Sequence, residues 1–118
     1  YEDTDAGGVV YYANYLKFLE RARTQILENN GLNNIYIKNF FEIYFVVTSC
    51  NISYIKPAKL DDLLTVSSFV VNKTKLRIML DQSIYNKKKL IISSKVELVS
   101  VNLIGKPVRM PKKIFDIF

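Results

Sequence analysis

At 118 residues the chain has the length of one domain, and 49% hydrophobic with 13% aromatic residues supplies enough apolar surface to offset the entropy of ordering it. A lone cysteine, Cys50, excludes an internal disulfide and a thiolate metal cluster, and the absence of histidine excludes Ser-His-Asp and Cys-His hydrolase designs and imidazole-based zinc sites. The net charge of +6 is uneven: residues 1–31 hold five acids and three bases, for −2, so the remaining 87 residues carry +8 and suit an anionic partner, although such an excess also serves solubility alone.

Taken from the N-terminus, the first periodic segment runs from Asn14 to Asn30. Leu16, Leu19, Ala22, Ile26 and Leu27 recur at helical spacing and put one apolar face on a helix of about four to five turns. Asn14 is the expected N-cap, and Gly31 the expected left-handed residue past the C-terminus. Beyond Gly31 the period changes from helical to two. Residues 43–54, 62–71 and 90–103 are rich in Val, Ile, Tyr, Phe and Thr, with breaks at Pro57, Asn72 and Asn86-Lys87. The clearest strand alternates Leu76, Ile78, Leu80, Gln82 and Ile84 with Lys75, Arg77, Met79, Asp81 and Ser83, so one face is directed to a core. Lys87-Lys88-Lys89 is expected at a hairpin tip. One helix followed by four strands reads as an α+β fold, an antiparallel sheet around a single helix, in one domain over 1–118. No apolar run approaches the roughly 18 residues of a membrane span, and none is expected.

The chemical content concentrates between Asp3 and Tyr15. Asp3 and Asp5 precede Gly7 and Gly8, which admit a ligand close to the backbone, and then a helix start whose unpaired amides carry partial positive charge. These parts suit acyl transfer: a carboxylate attacks a carbonyl or activates water, and a helix N-terminal amide stabilises the oxyanion. Acids followed by Gly-Gly also make an ordinary turn into a capped helix, and the residues alone leave both readings open. Asp3 reads as a capping acceptor in that loop.

The run Asp5-Ala6-Gly7-Gly8-Val9-Val10-Tyr11-Tyr12-Ala13-Asn14-Tyr15-Leu16, continued by Phe18, Glu20, Arg21, Ala22 and Arg23, resembles the hotdog-fold acyl-CoA thioesterases of the 4-hydroxybenzoyl-CoA thioesterase family, most of all their Tol-Pal-associated bacterial branch. Gly105-Lys106-Pro107-Val108-Arg109-Met110-Pro111 resembles the same branch. The resemblance implies a hotdog fold, a long central helix wrapped by a curved antiparallel sheet, with a strand ahead of the motif. Because the chain opens on Tyr1, that first strand is expected to be truncated. The resemblance further implies a cytoplasmic homodimer or homotetramer with its active site between protomers, acyl-CoA as substrate and no cofactor or metal. Carried over by position, Asp5 is the catalytic carboxylate, as nucleophile or general base, and the backbone N–H of Tyr12 donates to the thioester oxygen. Gly7, Gly8 and Arg109 are expected to contact substrate, and Lys73, Lys75 and Arg77 join Arg109 as candidates for the CoA phosphates. The Tol-Pal-associated branch usually carries histidine where this chain has Tyr12. A backbone donor survives that change, whereas the side-chain role of a histidine does not transfer, since a phenol with its ordinary pKa near 10 donates a hydrogen bond but is a poor base.

Glu20, beside Arg21 and Arg23, is expected on a solvated or interface ion-pair face. Cys50, alternating with Thr48 and Ile52, is expected as a small buried side chain, and Tyr11, Tyr15 and Phe18 as core rather than as the lining of an acyl pocket. Two functions follow. One is hydrolysis of acyl-CoA. The other is a non-catalytic hotdog module that binds an acidic acyl carrier protein or another anionic protein through the basic surface. No nucleic-acid-binding motif accompanies the charge, so nucleic acid is not an expected partner.

Overall fold

A computed structural model of the chain describes residues 12–59 and 62–118. Within them helix α1 (Tyr12–Asn29) leads through α2 (Asn34–Tyr36) and a π-helical turn at Ile37–Phe41 into β1 (Ile43–Tyr54), β2 (Leu64–Lys73), β3 (Arg77–Asn86) and β4 (Lys89–Asn102), and a last helical turn is α3 (Lys112–Phe115). The strands form one antiparallel sheet in the order β1-β4-β3-β2. This is the expected α+β order, and the β3–β4 hairpin turns at Lys87-Lys88 as expected. The expected first strand falls on residues outside the described range.

α1 stops for a reason local to its sequence. Gly31 adopts φ 76°, the Leu32 N–H donates to the Leu27 carbonyl and the Gly31 N–H to the Glu28 carbonyl, both at 3.0 Å, and Leu27 and Leu32 are buried in one cluster. This is a Schellman end, in which glycine takes the left-handed position without a Cβ penalty and two carbonyls at the helix terminus are satisfied.

The helix start differs from the sequence expectation. Tyr12 and Ala13 are already helical, so Asn14 is not the N-cap; it is a buried polar residue within the first turns of the helix. Leu16, expected on that face, is 44% exposed. The inward row starts at Tyr15, which is 1% exposed and whose hydroxyl accepts the Ala58 N–H at 3.0 Å inside the protein. A tyrosine anchored at both ring and hydroxyl sets the helix rotation against the weaker demand of one leucine.

The chain does not become extended directly after Gly31. Asn33 Oδ1 accepts the Tyr36 N–H at 2.8 Å and starts another helical turn, which widens to π form and ends where Glu42 takes φ 57°. Such short capped turns are smaller than the window on which hydrophobic periodicity acts.

Ile78, Leu80, Gln82 and Ile84 of β3 are buried and register with Leu98, Val96, Ser94 and Ile92 of β4. Tyr15 and Leu19 share a cluster with Ile84 and Ile92, whereas Leu27 shares another with Ile78 and Leu98. Ile78 and Ile84 stand about 20 Å apart along a strand, and Tyr15 and Leu27 about 18 Å apart along a helix. α1 therefore runs along β3 and β4, with its start at the β3–β4 hairpin end and its finish at the opposite end. At that opposite end the C-terminal segment takes up the pairing: the Val108 N–H donates to the Ser100 carbonyl at 2.9 Å and the Met110 N–H to the Lys75 carbonyl at 2.7 Å.

β1 is an edge strand of the described sheet. Cys50 registers with the buried Val96, but it is exposed, as are its neighbours from Val47 to Asn51, which corrects the expectation of a buried thiol. Alternation placed it on the core-facing side; its position on the outermost strand leaves that side open. Among the described residues no helix is long and apolar enough to cross a membrane.

Candidate active site

Asp5, Gly7 and Gly8, and Asp3 and Tyr11 with them, lie outside the described residues. Tyr12 is the first residue of α1. What can be built from the residues upward is the frame that holds this helix start. One turn further on, the Tyr15 ring meets Phe18 edge-on at 6.1 Å and Tyr54 at 6.0 Å, and its hydroxyl binds the loop after β1 through Ala58. That loop is fixed in turn to β4, because the Ile91 carbonyl accepts both the Ile55 N–H at 2.8 Å and the Lys56 N–H at 3.2 Å. Ala58 is fully buried, so the backbone of the loop lies directly against the helix start. Phe18 and Tyr15 are core residues of this end, as expected.

Halfway along α1 a polar network crosses the helix–sheet interface. Gln82, fully buried in β3, donates through Nε2 to the Leu19 carbonyl at 3.1 Å and to Ser68 Oγ at 3.0 Å, and its Oε1 accepts from Arg23 Nη1 at 2.7 Å. Ser68, Gln82 and Ser94 share one cross-strand row, and Ser94 Oγ donates to the Gln82 carbonyl at 2.8 Å. Arg23 is half-buried; burial pushes its guanidinium below the ordinary arginine value, opposed by nearby Glu20 and then Cys50. No acid of the described residues forms an ion pair with Arg23, and the only ion pair among them joins Arg77 to Glu97 at 3.4 Å. Glu20 and Arg21 are exposed, as expected of a solvated face, whereas Arg23 departs from it and makes a charge-assisted bond to a buried amide. Sequence reading missed this pair, although Gln82 in an otherwise apolar row was its signal: a polar side chain on a core-facing position requires partners. Between this network and β1 lies a cleft of about 410 Å³ lined by Arg23, Thr24, Leu27, Tyr44, Phe45 and Leu98, among others, with Glu20 on its border.

The basic candidates separate by end. Lys75 and Arg109 do come together, lining with Lys112 and Phe115 an open cleft of about 430 Å³. Lys73 is half-buried and occupied: its ammonium donates to the Phe115 carbonyl at 2.9 Å and lies 4.2 Å from the Phe115 ring centre. Arg77 is paired with Glu97. This group stands at the finish of α1, so within one chain the structure does not bring Arg109 to Tyr12; the two ends are on the order of 20 Å apart. The bases at the helix-start end are instead Lys56 and Lys59 of the loop and Lys87, Lys88 and Lys89 of the hairpin, all exposed. Among the described residues no cluster of acids, cysteine or histidine could hold a metal ion.

This frame has counterparts. A model of the thioesterase superfamily matches residues 7–92, a range that takes in the helix start and β1 to β3. The chain is 39% identical to an acyl-CoA thioesterase, YbgC, of Haemophilus influenzae, over 100% of this chain and 88% of that protein. It is 36% identical to the acyl-CoA thioester hydrolase YbgC of Escherichia coli O6:H1, over 100% of this chain and 89% of the relative. Among solved structures, a probable thioesterase from Bartonella henselae superposes with a TM-score of 0.88 at 36% identity, covering 93% of this chain and 91% of the other. An Aquifex aeolicus protein reaches 0.91 at 22% identity, covering 98% and 90%, a likeness of fold alone. A full-length likeness in sequence, a superfamily match across the motif and a shared helix-on-sheet architecture agree, and the chain belongs to the thioesterase superfamily.

Proposed function

We propose that this chain hydrolyses acyl-CoA, adding water across the thioester to release the free acid and the thiol of CoA. The observation that carries the reading is its likeness, over its whole length, to acyl-CoA thioester hydrolases of two bacteria. Asp5 acts as nucleophile or as the base that activates water. The Tyr12 N–H receives the developing oxyanion; what supports this is that Tyr12 stands at the head of α1, toward the positive end of the helix dipole. Gly7 and Gly8 let the thioester approach the backbone. The phosphates of CoA meet Lys56, Lys59 and the hairpin lysines of the same protomer, and Arg109 joins a site only from a second protomer. The working form is a cytoplasmic homodimer or homotetramer. Its support is β1, a 12-residue edge strand that exposes Tyr44, Val47 and Tyr54.

A thiol-release assay over a panel of acyl-CoAs tests the reading, with a pantetheine thioester that lacks the nucleotide as control. Turnover is expected, with a KM for acyl-CoA that rises with salt more steeply than that of the control, because screening acts on the phosphate contacts. No thiol release from any acyl-CoA, together with retention of an acidic acyl carrier protein, would instead fit the non-catalytic module.

A further inference from the structure

The end of the sheet where α1 finishes exposes large apolar side chains on two separate protrusions. Ile35 is 74% and Phe40 65% exposed on the helical turns before β1, and Leu103 and Ile104 are 50% and 77% exposed on the turn after β4. Ile43 registers with Asn102, so both protrusions leave the same end of adjacent strands. Isolated exposed leucines are ordinary, whereas several at one end of a molecule mark a contact surface.

Both protrusions are rigid. Phe40 stacks on Tyr36 with ring centres 5.2 Å apart and meets Phe41 edge-on at 4.9 Å, while Phe41 packs on the core. The second turn closes on Asn102: its Oδ1 accepts the Ile104 N–H at 3.1 Å and the Lys106 N–H at 2.9 Å, and its carbonyl accepts the Gly105 N–H at 2.9 Å. The amides of Ile104, Gly105 and Lys106 thus already have acceptors, which lowers the cost of their leaving water. On the segments of this end stand exposed Lys38, Lys75, Lys106, Lys112 and Lys113, against exposed Glu28, Glu42 and Asp116.

We propose that this end docks on an anionic membrane surface, with Phe40 and Ile104 entering the headgroup–acyl boundary and Lys38 and Lys106 meeting lipid phosphates. Exposed apolar side chains on two turns, set among an excess of basic residues, match a surface that offers both an acyl boundary and anionic phosphates. The proposal uses none of the residues given to hydrolysis: its tips and lysines stand at the end of the protomer remote from that protomer's own Tyr12.

Sedimentation with phosphatidylglycerol vesicles and with phosphatidylcholine vesicles at 0.15 M salt tests it. The expected result is binding to the anionic vesicles only, weakened at least about tenfold by Phe40→Ser with Ile104→Ser, and by Lys38→Glu with Lys106→Glu. A mean of about 1 kcal/mol per lysine near such a surface corresponds to roughly fivefold each. Charge reversal at the opposite end, Lys87→Glu with Lys88→Glu, should weaken binding less. Circular dichroism of each variant establishes that it is folded, and single substitutions replace any pair that is not. Three results would overturn the proposal: no binding to anionic vesicles, binding that the tip variants leave unchanged, or tip variants whose only effect is to dissociate an oligomer.

Discussion

Tyr12 carries two separable groups, an amide and a phenol, and only the amide is common to every residue except proline that could stand there. If the amide holds the oxyanion, Tyr12→Phe should keep most activity, because the donor and nearly all of the ring volume remain. Tyr12→Pro removes the N–H and should be far worse in steady-state kinetics, provided that circular dichroism shows a folded protein. Loss of about 10- to 100-fold in Tyr12→Phe would instead make the phenol part of the chemistry, as for removal of a hydrogen bond worth about 1.5–3 kcal/mol. At this scale the sequence was most legible where chemistry is written in consecutive residues, as in the run from Asp5 to Arg23. It was least legible at Arg23 itself, whose bond to Gln82 joins positions 59 residues apart.

Elements that depend on local rules came out as read: the Gly31 stop, the β3–β4 tip and the alternation of β3. Features decided by tertiary contacts did not. The rotation of α1 follows Tyr15 and its bond to Ala58, and the exposure of Cys50 follows from the edge position of β1, neither of which a periodicity contains. The coupling between α1 and β3 can be measured at Gln82. Gln82→Leu fits the apolar row, yet it leaves the half-buried Arg23 guanidinium without its Gln82 partner and removes the amide that tethers the Leu19 carbonyl. Urea unfolding should show a loss of about 1–3 kcal/mol. The pair Arg23→Leu with Gln82→Leu should recover part of that loss, since removing both partners costs less than stranding one; a pair as damaging as the sum of the singles would mean that the two side chains act separately.

The whole molecule is polarised along α1. One end holds the start of the helix, the Ala58 loop and the hairpin lysines; the other holds the Arg109 cleft and the exposed aromatic and aliphatic tips. Sequence reading treated the basic residues as a single body, because charge counts carry no information about which end of a sheet a residue occupies. β1 is an edge of the described sheet, and an unpaired edge favours pairing between copies: light scattering at micromolar concentration should give a dimer or tetramer, and a 13.7 kDa species alone would remove a site shared between protomers.

In the proposed reaction, thioester hydrolysis takes place at the start of α1 and depends on Asp5. The most direct measurement is thiol release by the parent chain and by Asp5→Asn, side by side, on the best acyl-CoA of the panel. A folded Asn variant is expected, with the parent's thermal melt and a rate lower by at least about 10²-fold, the usual cost of losing a nucleophile or general base. A folded Asp5→Asn protein that releases CoA at the parent rate would contradict it.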